Sequence, residues 1–155
     1  MAETLGSLCD KLIVIKLKQL HSQDQEKLNN LTFQENLIKK EINEYVQCAV
    51  AGLIPIEQLS LPANKVYQKA GDWQNQFYAD IGELFSALSL ANCNLWHIQE
   101  KAYEFDKVPP EQKDALIEQQ SIVNLERNKF MDEINAKFYS LIKDSHTSNH
   151  EMNVQ

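Results

Sequence analysis

Arginine is almost absent from this sequence. Arg127 is the only one among 155 residues, and 22 acidic residues outnumber 15 basic ones, which gives a net charge of −7. Proteins that bind nucleic acid usually present a basic face and contact phosphates or guanines through several arginines. The composition therefore argues against nucleic acid as a partner, and the same acidity argues against binding to anionic membranes.

Glycine, proline and long apolar runs are also scarce. The chain has four glycines and four prolines, with 43% hydrophobic and 24% charged residues, which is ordinary for one soluble domain and poor for a β-rich one. No apolar run reaches the ~18 residues typical of a membrane span, and Glu3, Asp10 and Lys11 interrupt any signal-peptide core. We expect an all-α, cytoplasmic protein without membrane insertion.

The few cysteines are widely separated. Cys9, Cys48 and Cys93 form no Cys-x-x-Cys pair, and each lies within a helical pattern. This arrangement is typical of reduced, buried thiols rather than of a metal or redox site. Cys93 precedes His97 by one helical turn, but it belongs to a run of small packing residues, which favours a structural role over a nucleophilic one.

Apolar residues recur at intervals of three and four through most of the chain, which predicts four long helices. Helix three has the most regular pattern, and two prolines open helix four. The predicted ranges are 5–23, 24–51, 72–105 and 110–143. Short connections between such helices indicate an antiparallel four-helix bundle.

Two segments depart from the helical pattern. Residues 52–64 contain two prolines but five apolar residues, which predicts a packed crossover between helices two and three, followed by a short helical turn through Val66 and Tyr67 that closes at Gly71. Residues 144–155 lack any apolar period. We therefore expect one bundle domain over residues 1–143 and a flexible C-terminal tail.

Two charged residues occupy positions where a bundle needs apolar side chains. Glu35 and Arg127 both fall within inward-facing stripes, and an unpaired buried charge is costly. They are expected to pair with each other or with another carboxylate, such as Glu100 or Asp10. A structural ion pair that fixes helix register is favoured, and the alternative is an anion or sugar-phosphate anchor built around Arg127.

His97 and Glu100 raise the question of a metal site, since they lie three residues apart on one helix. Di-metal bundles need matching Glu-x-x-His pairs on facing helices. The remaining histidines, His21, His146 and His150, do not repeat the pair. Neither a metal nor a cofactor is expected, and His97 is interpreted as part of the polar flank of its helix.

Three short motifs carry a family resemblance. They are Gly6-x-Leu8-x-Asp10-Lys11-Leu12, then Asn92-x-x-Leu95-Trp96-His97-x-x-Glu100, and the Asn124-x-x-Arg127 segment. The chain resembles bacterial domain-of-unknown-function families of small helical proteins, which are often encoded near glycosyltransferase genes. The resemblance implies a context in glycan or cell-envelope assembly. Gln99 and Tyr103 depart from the acid and the arginine that the second motif expects.

Two functional hypotheses follow, and whether the protein is an enzyme stays open. The first is a cytoplasmic helical interaction or accessory module that binds a protein partner or itself as a dimer. The second is a small-molecule site, binding or enzymatic, for a sugar or its phosphate. Its candidate residues are Asp10, Lys11, Trp96, His97, Glu100 and Arg127. Convergence of Asp10, Glu100 and Arg127 in one pocket would favour the second hypothesis.

Overall fold

The computed structural model describes residues 3–61 and 80–152. These residues form four long helices and two short 3-10 turns, and no strand occurs within these ranges. The helices are α1 (Leu5–Leu20), α2 (Gln25–Val50), α3 (Ile81–Tyr103) and α4 (Pro110–Met152), and the turns are Ile56–Gln58 and Phe105–Lys107. The predicted all-α bundle of four helices is confirmed.

Side chains at the helix ends fix where the helices begin. Thr4 accepts a hydrogen bond from the Ser7 amide, and the Ser7 side chain accepts one in return from the Thr4 amide. Asp24 accepts from two amides at the start of α2. Asp80 and Glu83 form a capping box for α3. These contacts satisfy amides that have no partner within the helix itself.

Helix ends were harder to predict than helix cores. α1 ends at Leu20 rather than near Gln23, because His21 caps it and its Nδ1 lies 2.9 Å from the Leu17 carbonyl. Gly52, with a φ of 69°, follows the end of α2 as predicted. The predicted start of helix three at residue 72, together with the helical turn proposed for residues 66–71, lies outside the described residues.

The predicted end of α4 at Lys143 is wrong, because the helix continues nine residues further to Met152. Side-chain contacts accompany this extension. The Thr147 hydroxyl donates to the Lys143 carbonyl, and His146 Nε2 lies 3.1 Å from the Val50 carbonyl at the end of α2. A helix that already exists extends at little cost, so the missing apolar period did not end it. The predicted flexibility of this segment stays a prediction.

The helices run up, down, up and down, and they share one main core at the lower end. Leu5 of α1, Ala49 of α2, Leu88 of α3 and Ile134 of α4 all belong to it. Leu59, from the segment after α2, is also buried in this core, and Ile54 and Ile56 pack against it, whereas Leu53 and Leu61 of the same segment are exposed. The described part of the crossover is therefore packed only in part. At the upper end a smaller cluster joins α3 and α4 through Leu95, Ile98, Leu116 and Val123.

Candidate functional site

A groove of about 370 Å³ opens in the upper half of the bundle, between α1, α3 and α4. Its span along α3, from Asn92 to Tyr103, is roughly 16 Å at 1.5 Å per residue. Apolar and aromatic side chains supply much of its wall, with a few polar groups among them. The lining residues are Val14, Leu17, Lys18, Asn92, Leu95, Trp96, Gln99, Glu100, Tyr103 and Arg127.

An ion pair between α1 and α4 lies at the lower end of this groove. Arg127 Nε donates to Asp10 Oδ1 at 2.7 Å, and its Nη2 donates to Oδ2 of the same carboxylate. Asn92 of α3 also donates to Asp10 Oδ1, at 2.8 Å. Asp10 is only 5% exposed, so this fork-shaped pairing compensates for its buried charge. Three helices are thereby fixed in register at one point.

Glu35 has different partners, so the predicted alternative of a Glu35–Arg127 pair is not formed. Its carboxylate pairs with Lys39, accepts from Gln19 Nε2 at 2.9 Å and accepts from Lys16 Nζ at 3.3 Å. The hydrogen bond from Lys39, followed by that from Gln19, lowers the pKa of Glu35 to about 2. Glu35 therefore joins α2 to α1 and takes no part in the groove.

Four side chains at the upper end of the groove form a connected cluster. Trp96 Nε1 donates to Glu100 Oε1 at 2.9 Å, and His97 Nδ1 donates to Oε2 at 3.2 Å. The ring of His21, just beyond α1, stacks on Trp96 with centroids 4.7 Å apart. The His97 hydrogen bond, followed by that of Trp96, lowers the pKa of Glu100 below its usual value. The indole is thus held between a carboxylate and an aromatic ring.

The six predicted site residues are only partly brought together. Trp96, Glu100 and Arg127 line the groove, whereas Asp10 is bonded to Arg127 and lines a second groove, between α1 and α2. His97 touches Glu100 but does not line the groove. Lys11 pairs with Glu3 at 2.6 Å and faces this second groove. Three of the six residues therefore line the groove between α1, α3 and α4, and Asp10 adjoins it through its pairing with Arg127.

Sequence reasoning missed three contributors to the site. His21 was considered only as a possible metal ligand, Asn92 appeared only as a motif position, and Lys18 was not among the candidate residues. Helical spacing could have placed Lys18 one turn from Val14 on α1. No sequence signal could have indicated the stacking of His21 on Trp96, because the contact joins two helices far apart in the chain.

The described residues near the groove give little evidence for a metal site or a reactive thiol. Within residues 3–61 and 80–152, no three His, Cys, Asp or Glu side chains are placed to hold a metal ion. Burial, and next the adjacent Asp10 carboxylate, raise the pKa of Cys9 to about 11. A thiol protonated at neutral pH is a poor nucleophile. Cys93 is half-buried and does not line the groove.

None of the described helices combines the length and apolar character that crossing a bilayer requires. In comparisons with known proteins, no family model, curated protein or solved structure matches the chain. The resemblance to bacterial families of small helical proteins therefore stays a prediction, and the functional argument depends on the site itself.

Proposed function

We propose that this is a small-molecule-binding protein whose ligand occupies the groove between α1, α3 and α4. The observation that carries the proposal is the convergence of Trp96, Glu100 and Arg127, with Asp10 bonded to Arg127, on one groove of about 370 Å³. Ligand sites are typically concave, largely apolar and of this size, with a few polar groups to orient the ligand. Asp10, Glu100 and Arg127 do not all line one groove, but the Asp10–Arg127 pair joins the groove that Glu100 lines to the groove between α1 and α2.

Trp96 and Glu100 would contact the ligand in different ways. His21 covers one face of the Trp96 ring and the indole N–H is bonded to Glu100, so the orientation of the ring is fixed and its other face is the one offered to the ligand. Glu100 is 52% exposed at its side chain and accepts one hydrogen bond at each oxygen, which leaves lone pairs for a ligand hydroxyl. Such a set suits a ligand with a flat or apolar face and a polar edge, including a sugar ring.

Binding is favoured over catalysis by the state of the two carboxylates. General acid–base chemistry needs groups positioned at the substrate with suitable protonation. Asp10 is engaged at both oxygens by Arg127, and the lowered pKa of Glu100 keeps it ionised. No free acid therefore faces a free base across the groove. A cytoplasmic ligand-binding role in glycan or cell-envelope assembly agrees with the resemblance noted in the sequence.

The test uses Trp96 as a reporter. In a Trp73→Phe background, Trp96 is the only tryptophan of the chain, and its indole N–H resonance can be followed by NMR. The probes are naphthalenemethanol, naphthoate, naphthylmethylammonium and glucose phosphate. We expect at least one probe to shift the resonance to saturation. An unmoved resonance with all four would overturn the proposal.

A matched pair of substitutions locates the site. Gln99→Phe fills the groove and should abolish the saturable shift, because Gln99 lines its wall. Leu90→Phe adds the same ring on the same helix, at a residue that is 62% exposed and lines none of the described grooves. It should leave the titration unchanged. Equal effects of the two substitutions would argue against this groove.

A second candidate function, an interaction module, is favoured by one observation. Tyr103 at the outer end of the groove is 87% exposed, which is unusual for a large aromatic side chain and typical of contact surfaces. Under this alternative the protein self-associates, and light scattering should give a mass above 17.9 kDa that Tyr103→Ser, but not Leu90→Ser, lowers. A wild-type mass equal to one chain at all concentrations removes self-association.

A further inference from the structure

The three lysines of α1 differ in their partners. Lys11 pairs with Glu3 at 2.6 Å, and Lys16 pairs with Glu35 at 3.3 Å. No carboxylate of the described residues lies within ion-pair distance of Lys18. Lys18 nevertheless has a central position, because it lines the α1–α3–α4 groove, the groove between α1 and α2, and a third between Trp96 and the start of α2.

Three of the acidic groups around Lys18 are already engaged, whereas Glu41 and Glu26, which line the second and third grooves with it, lie beyond ion-pair distance. Asp10 is bonded at both oxygens by Arg127, and Glu100 accepts from Trp96 and His97. Asp24, which lines the third groove, accepts from two amides as the cap of α2. The ammonium group of Lys18 therefore keeps its hydrogen-bonding capacity for an outside partner.

Arg127 adds donors beside Lys18. Of the five N–H groups of a guanidinium, two bond to Asp10 and one to Asn124 at 3.4 Å. Two N–H groups remain, and Arg127 lines two of the three grooves that Lys18 lines. Unused donors thus come from two cationic side chains, on α1 and α4, at the edge of one largely apolar groove.

We propose that Lys18 binds an anionic group of the ligand, a carboxylate or a phosphate, while the body of the ligand lies against Trp96. The spare N–H groups of Arg127 assist from the other side of the groove. This inference rests on the proposed ligand-binding function and specifies the charge of the ligand. The main anion contact is therefore assigned to Lys18 rather than to Arg127, which is already bonded to Asp10.

A purely structural role for Lys18 is the alternative. Lys18 lies in the last turn of α1, where a cation stabilises the helix by interacting with the helix dipole. That role would affect thermal stability equally whichever ligand is present. It would not make the protein distinguish an anion from a neutral molecule of the same shape. Discrimination between matched probes is therefore the measurement that separates the two roles.

The experiment titrates the Trp73→Phe protein with naphthoate, naphthalenemethanol and naphthylmethylammonium at low salt. Naphthoate should bind roughly fivefold tighter than the alcohol, which is the upper range of a partly exposed ion pair. Lys18→Gln should remove that difference, whereas Lys18→Arg should keep it. Lys101→Gln, which removes an exposed lysine of α3 that lines none of the described grooves, should also keep it. Melting curves of each variant show that it is folded.

The contrary outcomes are distinct. Equal binding of naphthoate and the alcohol, unaffected by Lys18→Gln, would overturn the anion contact while the groove remains a ligand site. Tightest binding of naphthylmethylammonium would overturn it as well and would make Glu100 the charge partner. If neither the three naphthalene probes nor glucose phosphate shifts the Trp96 resonance, the proposed ligand-binding function itself is wrong. A parallel titration with glucose phosphate and glucose makes the same comparison between a charged and a neutral ligand, using polar molecules instead of naphthalene derivatives.

Discussion

Buried carboxylates in this bundle each have a cationic partner from another helix. Asp10 is 5% exposed and is held by Arg127 of α4, while Glu35 is 8% exposed and is held by Lys16 of α1 together with Lys39 of its own helix. A buried charge without a partner would be strongly destabilising. The two carboxylates thus fix α1 against different neighbours.

The Glu35 contacts predict a pH dependence of stability. The pKa of Glu35 is about 2 in the folded protein, against an ordinary value of 4.5, so the unfolded chain takes up the proton more readily. Its contribution to stability is complete above about pH 4.5 and is lost as the pH falls towards 2. Glu35→Gln should therefore lower the urea midpoint at pH 7 and have a progressively smaller effect below pH 4.5.

The matched control is Glu44→Gln, which removes an exposed carboxylate of the same helix that pairs with Lys40 at 3.5 Å. Surface pairs of this kind contribute little, so its urea midpoint should stay close to that of the wild type throughout. A Glu35→Gln defect that is equally large at pH 3 and pH 7 would contradict the charge argument and indicate loss of packing instead.

Sequence patterns identified Glu35 and Arg127 as charges within apolar stripes, but they did not identify Asp10 as the buried partner of Arg127. Glu35 and Arg127 break apolar stripes, which is a local property and visible in one helix at a time. Pairing depends on the rotation of each helix about its axis, and Asp10 and Arg127 are 117 residues apart. Asp10, Glu35 and Glu100 were therefore equal candidates for Arg127 until the helices were placed in space.

At the scale of elements, the backbones of α1 and α4 approach each other closely where Gly6 faces Met131. The Gly6 amide donates to Asn135 Oδ1 at 2.8 Å, and Asn135 Nδ2 donates to the Thr4 hydroxyl at 3.1 Å. A Cβ atom at Gly6 would lie 2.2 Å from the Met131 carbonyl oxygen. Glycine is thus required here by the distance between two backbones rather than by a special backbone angle.

Gly6→Ala should destabilise the protein by about 2 kcal/mol or more, because a backbone atom rather than a flexible side chain must move. The measurement is urea unfolding followed by far-ultraviolet circular dichroism. Gly82→Ala is the matched control, since a Cβ there meets nothing within 4 Å and alanine is the better helix former by about 0.5–1 kcal/mol. Gly82→Ala should be neutral or stabilising; equal losses in both variants would refute the proposed close contact.

The positions of the helices could be predicted from the apolar periodicity of the sequence. Where each helix ends depends instead on individual side-chain contacts, such as the one between His21 and the Leu17 carbonyl. Apolar stripes place α1, α2 and α4 in the correct parts of the sequence. The absence of an apolar period predicts an end of α4 at Lys143, but the helix continues to Met152. His146 contacts the Val50 carbonyl in this extension, and no local sequence pattern indicates that contact.

At the scale of the whole molecule, packing is uneven along the bundle axis. The lower core takes residues from all four helices, whereas the upper cluster, within residues 3–61 and 80–152, joins only α3, α4 and the segment between them. The grooves lie in the upper half, where α1 is flanked by an opening on either side. The region that carries the proposed site is therefore the less densely packed part of the bundle.

This difference predicts uneven hydrogen exchange. Amides in the lower half of α4, residues 131–142, should exchange close to the rate of global unfolding, because they surround the four-helix core. Amides in residues 111–122 should exchange measurably faster through local opening. Hydrogen-exchange mass spectrometry with peptides from the two halves makes the comparison within one helix. Equal protection in both halves would contradict two unequal cores.

The direction of the helices has a practical consequence. Leu5 and the last turns of α4 lie at the lower end of the bundle, whereas Trp96 and the connections after α1 and α3 lie at the upper end. A linker fused before α1 or after α4 would leave the groove facing away from its point of attachment. The protein can therefore be immobilised through either end on a sensor chip with the proposed ligand site open to the flowing solution.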